Sequence, residues 1–327
     1  MKKQTVMKFL AVILLGLSVV WTSPSVRGND GVLRIGILQL ADHGALDEAR
    51  EGFINRLAEQ GYVDGQNIQI QFLNAQSDQS NLQVMSQRLV ADQSDLILGI
   101  ATPAVQALAN ETTEIPILGT PLTSFVTANL VESDERPNTN VTGTSNLAPI
   151  DQQLELLTQL VPSMRTLGFI FNAAEDNASL QVEIAEEEAR KLGLETIRMT
   201  VANTNDIPQA MRALVAQVDA VYIPTDNTLV QSMSIVGQIA KETLTPVMAA
   251  STGATLEGGL ATLGVDHYLI GRMTADMAIE IIENGARPQT MPIQRQSDTT
   301  LVINEEMVEA LGIVIPQSIR DRANSQN

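Results

Sequence analysis

The chain has 327 residues, of which 44% are hydrophobic and 18% charged, so it is long enough for two globular lobes with sizeable cores. Its formal net charge is −18 at pH 7, and an acidic surface repels phosphate backbones and anionic lipid; this argues against binding to nucleic acid or membrane surfaces. It has no cysteine, which excludes disulfides and a lipid-anchoring cysteine.

The first residues have the pattern of a secretory signal peptide. Three lysines among the first eight residues precede an apolar run over 9–21, and small or turn-forming residues follow over 22–25. The apolar run is shorter than the about 20 residues that a transmembrane helix needs. We therefore expect residues 1–28 to be a cleaved signal peptide and the mature protein to be free. An uncleaved anchor or a buried hydrophobic helix is the alternative.

Strand-like and helix-like segments then alternate. Short apolar runs rich in β-formers predict strands over 32–40, 67–73, 96–100 and 115–119. Apolar residues at helical spacing predict helices over 45–60 and 79–91, and a further helix after Thr102-Pro103. Such alternation is typical of parallel sheets that helices cover on both faces.

The same alternation begins again near Met164. Strands are predicted over 167–171, 195–201, 220–223 and 245–249, and helices over 179–192, over 207–216 and from Thr228. The two halves can be aligned with each other along the sequence: Gly36 and Gly61 are 25 positions apart, as are Gly168 and Gly193. We therefore predict an α/β fold with two Rossmann-like lobes of parallel sheet. A loose repetition of α/β units without two-lobe symmetry is the alternative.

Residues 258–315 contain too few elements for a third domain. They include one strand over 259–265, a helix over 269–284 and a closing strand over 301–303. We expect this part to return to the first lobe and to finish in the second. The N-terminal lobe would then comprise 31–147 and 256–290, and the C-terminal lobe 148–255 and 291–327. A three-segment hinge near 146–150, 252–256 and 288–298 would join them.

Ligands of open parallel sheets bind outside the carboxyl ends of the strands. This rule selects six loops, at 39–45, 101–104, 120–125, 172–179, 225–228 and 250–253, which two facing lobes would bring into one cleft. Thr102-Pro103 has the pattern of a helix start that suits a ligand carboxylate. The helix start at 225–228 adds the carboxylate of Asp226, which suits a ligand ammonium. Plain helix capping is the alternative for both.

The sequence gives little support to catalysis. It lacks a cysteine nucleophile, a Gly-x-Ser-x-Gly elbow, a P-loop and a metal-ligand cluster, and His43 is the only histidine in the first half. We expect no enzyme activity, no metal and no cofactor. We expect His267 to be structural or solvent-facing, and Phe125 to face either the ligand or the core.

Several segments together resemble one family. They are 37–39 with His43, 45–47, 52–53, 101–103, 140–143, 172–179, 224–227 and the tail from Asn304 to Pro316. These segments are similar to the ABC transporter solute-binding proteins described as tryptophan/tyrosine or aromatic amino acid binding. The resemblance covers essentially the whole chain after the signal peptide. It implies a type I periplasmic-binding fold that closes by a hinge around an amino acid, aromatic or branched apolar.

The resemblance and the strand-end loops together give a set of candidate ligand-binding residues. They are Gln39, His43, Thr102, Pro103, Thr120, Asn172, Glu175, Asn177, Ser179, Thr225, Asp226 and Asn227. Relatives often carry an acidic residue near 120–123 and near 249–252. This chain has none in either segment, so the exact ligand stays open.

The resemblance also implies a location and partners. We expect a periplasmic protein that is not a lipoprotein, a monomer, with an amino acid-like small molecule as ligand. The implied partners are the permease subunits of an ABC transporter, and no nucleic acid. A periplasmic ligand sensor that feeds a signalling receptor is the alternative.

Overall fold

The computed structural model describes residues 32–325, so the predicted signal peptide at 1–28 lies outside the described residues. The strands are β1 (Leu33–Gln39), β2 (Ile68–Asn74), β3 (Leu96–Ile100), β4 (Ile117–Leu122), β5 (Val141–Ser145), β6 (Thr166–Asn172), β7 (Glu195–Val201), β8 (Ala220–Ile223), β9 (Val247–Ala249), β10 (Ala261–Gly264), β11 (Gln294–Arg295) and β12 (Thr300–Ile303).

Helices separate most of these strands. They are α1 (Gly44–Glu59), α2 (Gln79–Ala91), α3 (Thr102–Glu111), α4 (Ile150–Leu160), α5 (Asp176–Lys191), α6 (Ile207–Val215), α7 (Asn227–Val230), α8 (Met233–Thr243), α9 (Thr252–Gly258), α10 (His267–Asn284), α11 (Glu305–Leu311) and α12 (Gln317–Asn324). None of those between residues 32 and 325 is both long and apolar enough to cross a membrane.

The strands form two main parallel sheets and one small antiparallel pair. The first sheet has the order β11-β5-β4-β3-β1-β2 and the second the order β7-β6-β8-β9, while β10 pairs with β12. Each main sheet has its own hydrophobic core, which defines the first lobe and the second lobe. The first core also takes in residues of α10, so the chain returns to the first lobe late in the sequence.

Two short segments lie in a different lobe from the one the sequence pattern indicates. Strand β10, expected with the first lobe, pairs with β12, and its residues Ala261 and Leu263 pack in the second core. Strand β11, expected with the second lobe, pairs in parallel with β5 at the edge of the first sheet. An apolar pattern indicates that a strand is buried but not which sheet it joins.

Strand β5 and helix α4 are elements that the sequence pattern did not indicate. The β5 sequence, Val-Thr-Gly-Thr-Ser, has little apolar character, yet all five residues are buried. Its hydroxyls are paired inside the fold: Thr144 Oγ1 lies 2.9 Å from Thr120 Oγ1 and 2.7 Å from Thr274 Oγ1. Buried threonines that satisfy one another replace the apolar run by which a central strand is recognised.

Helices α1 and α10 pack closely because glycines face the contact. A Cβ atom at Gly271 would lie 2.0 Å from the Ala49 carbonyl oxygen, and one at Gly52 would lie 2.1 Å from the Tyr268 carbonyl oxygen. A 2.7 Å bond from Arg56 Nε to an Asp276 carboxylate oxygen joins the helices further along. This contact fixes the start of both helices at the carboxyl edge of the first sheet.

Replacing Gly271 by alanine is expected to destabilise the protein by about 1–3 kcal/mol, since the added methyl overlaps a backbone carbonyl that cannot move without shifting α1. Chemical denaturation measures the loss. The matched control is Gly253→Ala in α9, where no atom lies within 4 Å of the new Cβ. The control should unfold like the wild type or slightly later. Equal unfolding of all three proteins would contradict the close helix contact.

Candidate functional site

The loops that follow the strands of both main sheets converge on one cavity between the lobes. Its lining residues are His43, Ala45, Leu46, Ala101, Thr102, Pro121, Thr123, Asn146, Asn177, Thr225, Asp226, Asn227, Val230, Ser251 and His267. The space free of protein atoms, open mouth included, is about 400 Å³. All six strand-end loops selected from the sequence contribute at least one of these residues.

Hydrogen bonds join the two lobes around this cavity. His43 Nε2 lies 3.1 Å from Asn227 Oδ1. Gln181 Nε2 of the second lobe donates to Thr123 Oγ1 of the first over 3.0 Å and also to Thr225 Oγ1. At the rim, Gln106 Nε2 donates to Asp176 Oδ2 over 3.0 Å. The lobes are therefore closed on one another in this structure.

On the side of the first lobe, the start of helix α3 faces the cavity. Its N-cap residue, Ala101, is buried and has φ +80° and ψ +152°, a strained conformation for a residue with a side chain. No side chain caps α3, and Pro103 has no N–H to offer. The N–H groups of Ala104 and Val105 donate to the Ala101 carbonyl. Thr102 lines the cavity, and at the first position of α3 its backbone N–H has no acceptor within the helix.

On the side of the second lobe, two carboxylates are buried next to each other. Asp226 is 1% exposed and Glu175 is 7% exposed. Asp226 accepts backbone N–H bonds from Thr228, Leu229 and Asn172 at 2.6–2.9 Å. Burial, followed by repulsion from Glu175, raises the pKa of Asp226 well above its usual value. Asn177, Asn227 and Thr228 supply the donors to Glu175.

Four cavity-lining residues carry a buried polar atom that has no hydrogen-bond partner within residues 32–325. The atoms are His43 Nδ1, Asn146 Oδ1, Asn177 Oδ1 and His267 Nδ1. Leaving a buried polar atom unpaired costs about 1–3 kcal/mol, so such atoms are uncommon and are explained when a ligand pairs with them. Both lobes contribute to this group, since His43 and His267 begin first-lobe helices and Asn177 lies in α5.

The structure brings half of the predicted site residues to the cavity. His43, Thr102, Asn177, Thr225, Asp226 and Asn227 line it. The other six lie behind it or beside it: Gln39, Pro103, Thr120, Asn172, Glu175 and Ser179. Their positions have physical reasons that the linear sequence does not contain.

Two of these six belong to networks inside the first lobe. Gln39 is fully buried and is bound by Asp47 at 2.9 Å and by Arg50 at 2.5 Å, so its amide is already paired. Thr120 is held in the row of buried hydroxyls with Thr144. Pro103, a third member of the six, lines a separate depression.

The remaining three support the second-lobe loops. Asn172 donates its backbone N–H to Asp226 over 2.6 Å and its side-chain amide to Thr228 Oγ1 over 3.0 Å. Glu175 binds the start of α7. Ser179 Oγ reaches only the Ala173 carbonyl, at 3.5 Å. These residues hold the loops that carry the lining side chains.

Sequence reasoning missed several lining residues. Thr123 and Ser251 lie in loops that it had selected, but Asn146 follows the unrecognised strand β5. His267 was expected to be structural or solvent-facing, whereas it is 2% exposed and lines the cavity. The available signal was the Asp266-His267 helix start after β10, another strand-end position. Phe125 is fully buried in the first core, so of its two expected roles it has the one in packing and not the one toward the ligand.

Both histidines at the cavity are shifted toward the neutral form. Burial lowers the pKa of His267 to about 4, with a further lowering by His43. Burial likewise lowers the pKa of His43, although its hydrogen bond to the Asn227 amide oxygen and the acidic neighbours Asp47 and Glu175 oppose the shift. At neutral pH the cavity therefore presents uncharged imidazoles.

The buried His267 predicts a pH dependence of stability. In the unfolded chain His267 becomes protonated below about pH 6.5, whereas in the folded protein it becomes protonated only near pH 4. The free energy of unfolding therefore falls as the pH drops from about 6.5 to about 4. Between pH 7 and 5 the wild type should lose about 2 kcal/mol more than His267→Gln. Urea unfolding at both pH values measures this. The other titrating groups are present in both proteins, so the difference between the two losses reports chiefly His267. Equal losses would contradict a buried neutral imidazole.

Comparisons with known proteins agree with this architecture. The family profile described as ABC transporter substrate binding protein matches residues 34–327. The chain is 40% identical over 277 residues to a tyrosine-binding protein of Clostridioides difficile (strain R20291), covering 85% of this chain and 80% of that protein. The matches confirm the predicted family resemblance.

Two solved structures are similar along most of their length. One is an ABC domain in complex with L-Trp from Streptococcus pneumonia, with a TM-score of 0.86, 36% identity, and coverage of 89% of this chain and 98% of that one. The other is the ligand-free, open structure of a substrate binding protein with adhesive properties from Clostridium difficile, with a TM-score of 0.69, 40% identity, and coverage of 88% and 97%. The predicted two-lobed type I periplasmic-binding fold is thereby confirmed, and the chain belongs to the family of ABC transporter substrate binding proteins.

Proposed function

We propose that this protein binds one free amino acid, with an aromatic side chain, in the cavity between its lobes and delivers it to the permease subunits of an ABC importer. The observation that carries the proposal is the group of four buried polar atoms without partners that surround this cavity. A ligand that bridges the lobes would pair with atoms from both of them. It would thereby favour the closed arrangement.

The two sides of the cavity suit the two charged ends of an amino acid. The α3 start in the first lobe offers the Thr102 N–H and the positive end of a helix dipole, which favours a carboxylate. The second lobe offers the oxygen of Asn177 and the carboxyl group of Asp226. A bound ammonium would favour the ionised form of this carboxyl group and pair with it. An ammonium would also offset the repulsion between Asp226 and Glu175.

The remaining lining is apolar or flat, which suits a hydrophobic side chain. Leu46, Pro121 and Val230 supply apolar surface, and the neutral imidazole of His267 supplies a planar ring. Aromatic side chains stack favourably on such planes and add apolar burial. Tyrosine, the ligand of the similar tyrosine-binding protein, and L-Trp, bound in the similar solved structure, have this chemistry.

Hinge closure is supported by the direct contacts between the lobes. This structure is more similar to the L-Trp complex, with a TM-score of 0.86, than to the ligand-free, open structure, with 0.69, although its identity to the latter is higher. Sequence divergence therefore does not explain the difference between the two TM-scores. A closed arrangement of the lobes, like that expected of a complex with ligand, explains it. Bonds such as that between His43 and Asn227 would form on closure.

The rest of the proposal concerns location, assembly and the division into lobes. The family works mainly outside the cytoplasm, and the signal-like segment at 1–28 supports export to the periplasm and cleavage. We propose a monomer that binds without turnover. The first lobe would comprise about residues 32–145 and 267–295, and the second about 150–264 and 300–325, as the two cores suggest.

Calorimetry with free amino acids tests the ligand class. L-tryptophan or L-tyrosine should bind one to one with a dissociation constant in the micromolar range, which corresponds to about 8 kcal/mol. Tryptamine, without the carboxylate, and indole-3-propionate, without the ammonium, should bind at least about ten-fold more weakly because each leaves one side of the cavity unpaired. Equal affinity for all three indole compounds would refute the two-ended site.

Asp226→Asn tests the ammonium side. The amide oxygen can still accept the N–H groups of Thr228 and Leu229, while the amide nitrogen would face the Asn172 N–H, which loses its acceptor. Because no carboxylate remains to pair with an ammonium, L-tryptophan should bind about ten-fold more weakly or worse. Alanine is the poorer choice, because it would also remove the cap of α7.

Asp219→Asn is the matched control. Asp219 also accepts two backbone N–H bonds, from Arg165 and Thr166, but it stands at the opposite end of β8 from Asp226. This variant should lose some stability and keep its affinity. If both variants bind L-tryptophan like the wild type, the carboxylate of Asp226 does not bind the ammonium.

A further inference from the structure

Glu175 is buried near the cavity without lining it. Its Oε2 accepts the Asn227 backbone N–H at 3.0 Å, the Asn227 side-chain Nδ2 at 2.6 Å and the Asn177 Nδ2 at 3.4 Å. Its Oε1 accepts the N–H and the hydroxyl of Thr228 at 3.1 and 2.9 Å. All five partners are donors, which is the environment that an ionised carboxylate requires.

The hydrogen bond from Asn227 Nδ2 to Glu175 fixes the orientation of the Asn227 side-chain amide. Because Nδ2 is committed to the carboxylate, the atom that meets His43 Nε2 at 3.1 Å must be the amide oxygen. An amide oxygen only accepts hydrogen bonds. His43 Nε2 therefore carries the proton.

A neutral imidazole with its proton on Nε2 has a lone pair on Nδ1. Burial lowers the pKa of His43, so this neutral form persists at neutral pH. Nδ1 is buried at the cavity and has no partner within residues 32–325. In this tautomer His43 Nδ1 is a hydrogen-bond acceptor, and a donor group of a ligand could pair with it.

Asn177 is oriented in the same sense. Its Nδ2 donates to the Thr225 carbonyl at 2.8 Å and, more weakly, to Glu175, so its unpaired buried atom is again the acceptor Oδ1. The cavity thus presents acceptors from both lobes, His43 Nδ1 from the first and Asn177 Oδ1 from the second. A group with several N–H donors, such as a primary ammonium, matches this pattern.

We propose that Glu175 is a positioning residue that orients Asn227 and, through it, sets the tautomer of His43, so that His43 Nδ1 and Asn177 Oδ1 accept hydrogen bonds from the ligand's ammonium group. The inference rests on the proposed function and deepens it, since it assigns the atoms that read the ammonium. Glu175 acts across the lobe boundary without touching the ligand. The acceptor set is complete only when the lobes are closed.

The test reads the tautomer directly. The chain has two histidines, so ¹⁵N-imidazole NMR of protein saturated with L-tryptophan resolves them, and His267→Gln assigns the signals. Wild-type His43 should carry its proton on Nε2. In Glu175→Gln the new amide can donate to Asn227 Oδ1, so Asn227 can turn over and present Nδ2 to His43. His43 should then shift toward the Nδ1–H tautomer, with affinity for L-tryptophan reduced about ten-fold or more.

Two further variants separate positioning from a structural role. Glu183→Gln changes an exposed carboxylate on the same helix and should leave both the tautomer and the affinity unchanged. Adding Asn227→Asp to Glu175→Gln restores an acceptor opposite His43 Nε2. The double variant should recover the Nε2–H tautomer and a large part of the affinity.

Three results would overturn the inference: a wild-type His43 with its proton on Nδ1, a Glu175→Gln variant that binds like the wild type, or one that binds weakly with its tautomer unchanged. The last would mark Glu175 as a structural support only. Failure of the wild type to bind either L-tryptophan or L-tyrosine would instead overturn the proposed function, and with it the role of these acceptors toward an ammonium.

Discussion

Two carboxylates buried side by side, Glu175 and Asp226, constrain the second-lobe half of the cavity. Within residues 32–325 no lysine or arginine is among their hydrogen-bond partners, which are backbone N–H groups and the side chains of asparagine and threonine. Burying charge in this way is costly unless every lone pair is used. The start of α7 and the loop before α5 supply the hydrogen bonds that meet this requirement. These hydrogen bonds hold the second-lobe side chains that line the cavity.

The first lobe supplies a complementary wall by different means. Helices α1 and α10 approach closely at Gly52 and Gly271, and their first residues bring His43 and His267 to the cavity. Helix α3 begins after the strained residue Ala101, which provides no side-chain cap. One lobe therefore offers helix starts and neutral imidazoles, the other fixed acceptors and charge. A ligand with opposite charges at its two ends gains from both only when the lobes meet.

The predicted site residues that line the cavity share one property. His43, Thr102 and Asp226 follow directly after buried strands, and the carboxyl edge of a parallel sheet is where such residues must emerge. Side-chain direction separates them from the predicted residues that do not line the cavity. Gln39 is the last residue of β1, but its amide turns to Arg50 and Asp47 inside the lobe. Thr120 and Thr123 belong to one predicted loop, yet only Thr123 reaches the cavity.

The sequence by itself determined the alternation of strands and helices, the duplication into two parallel-sheet lobes and the loops that reach the cleft. These follow from local hydrophobic period and from the geometry of parallel sheets, which need no knowledge of distant contacts. Only the tertiary structure decided that β10 joins the second lobe, that His267 is a lining residue, and that Glu175 stands behind Asn227. Each of these depends on which partner a buried group finds across the fold, and hydrogen-bond partners far apart in the chain leave no mark on the local pattern.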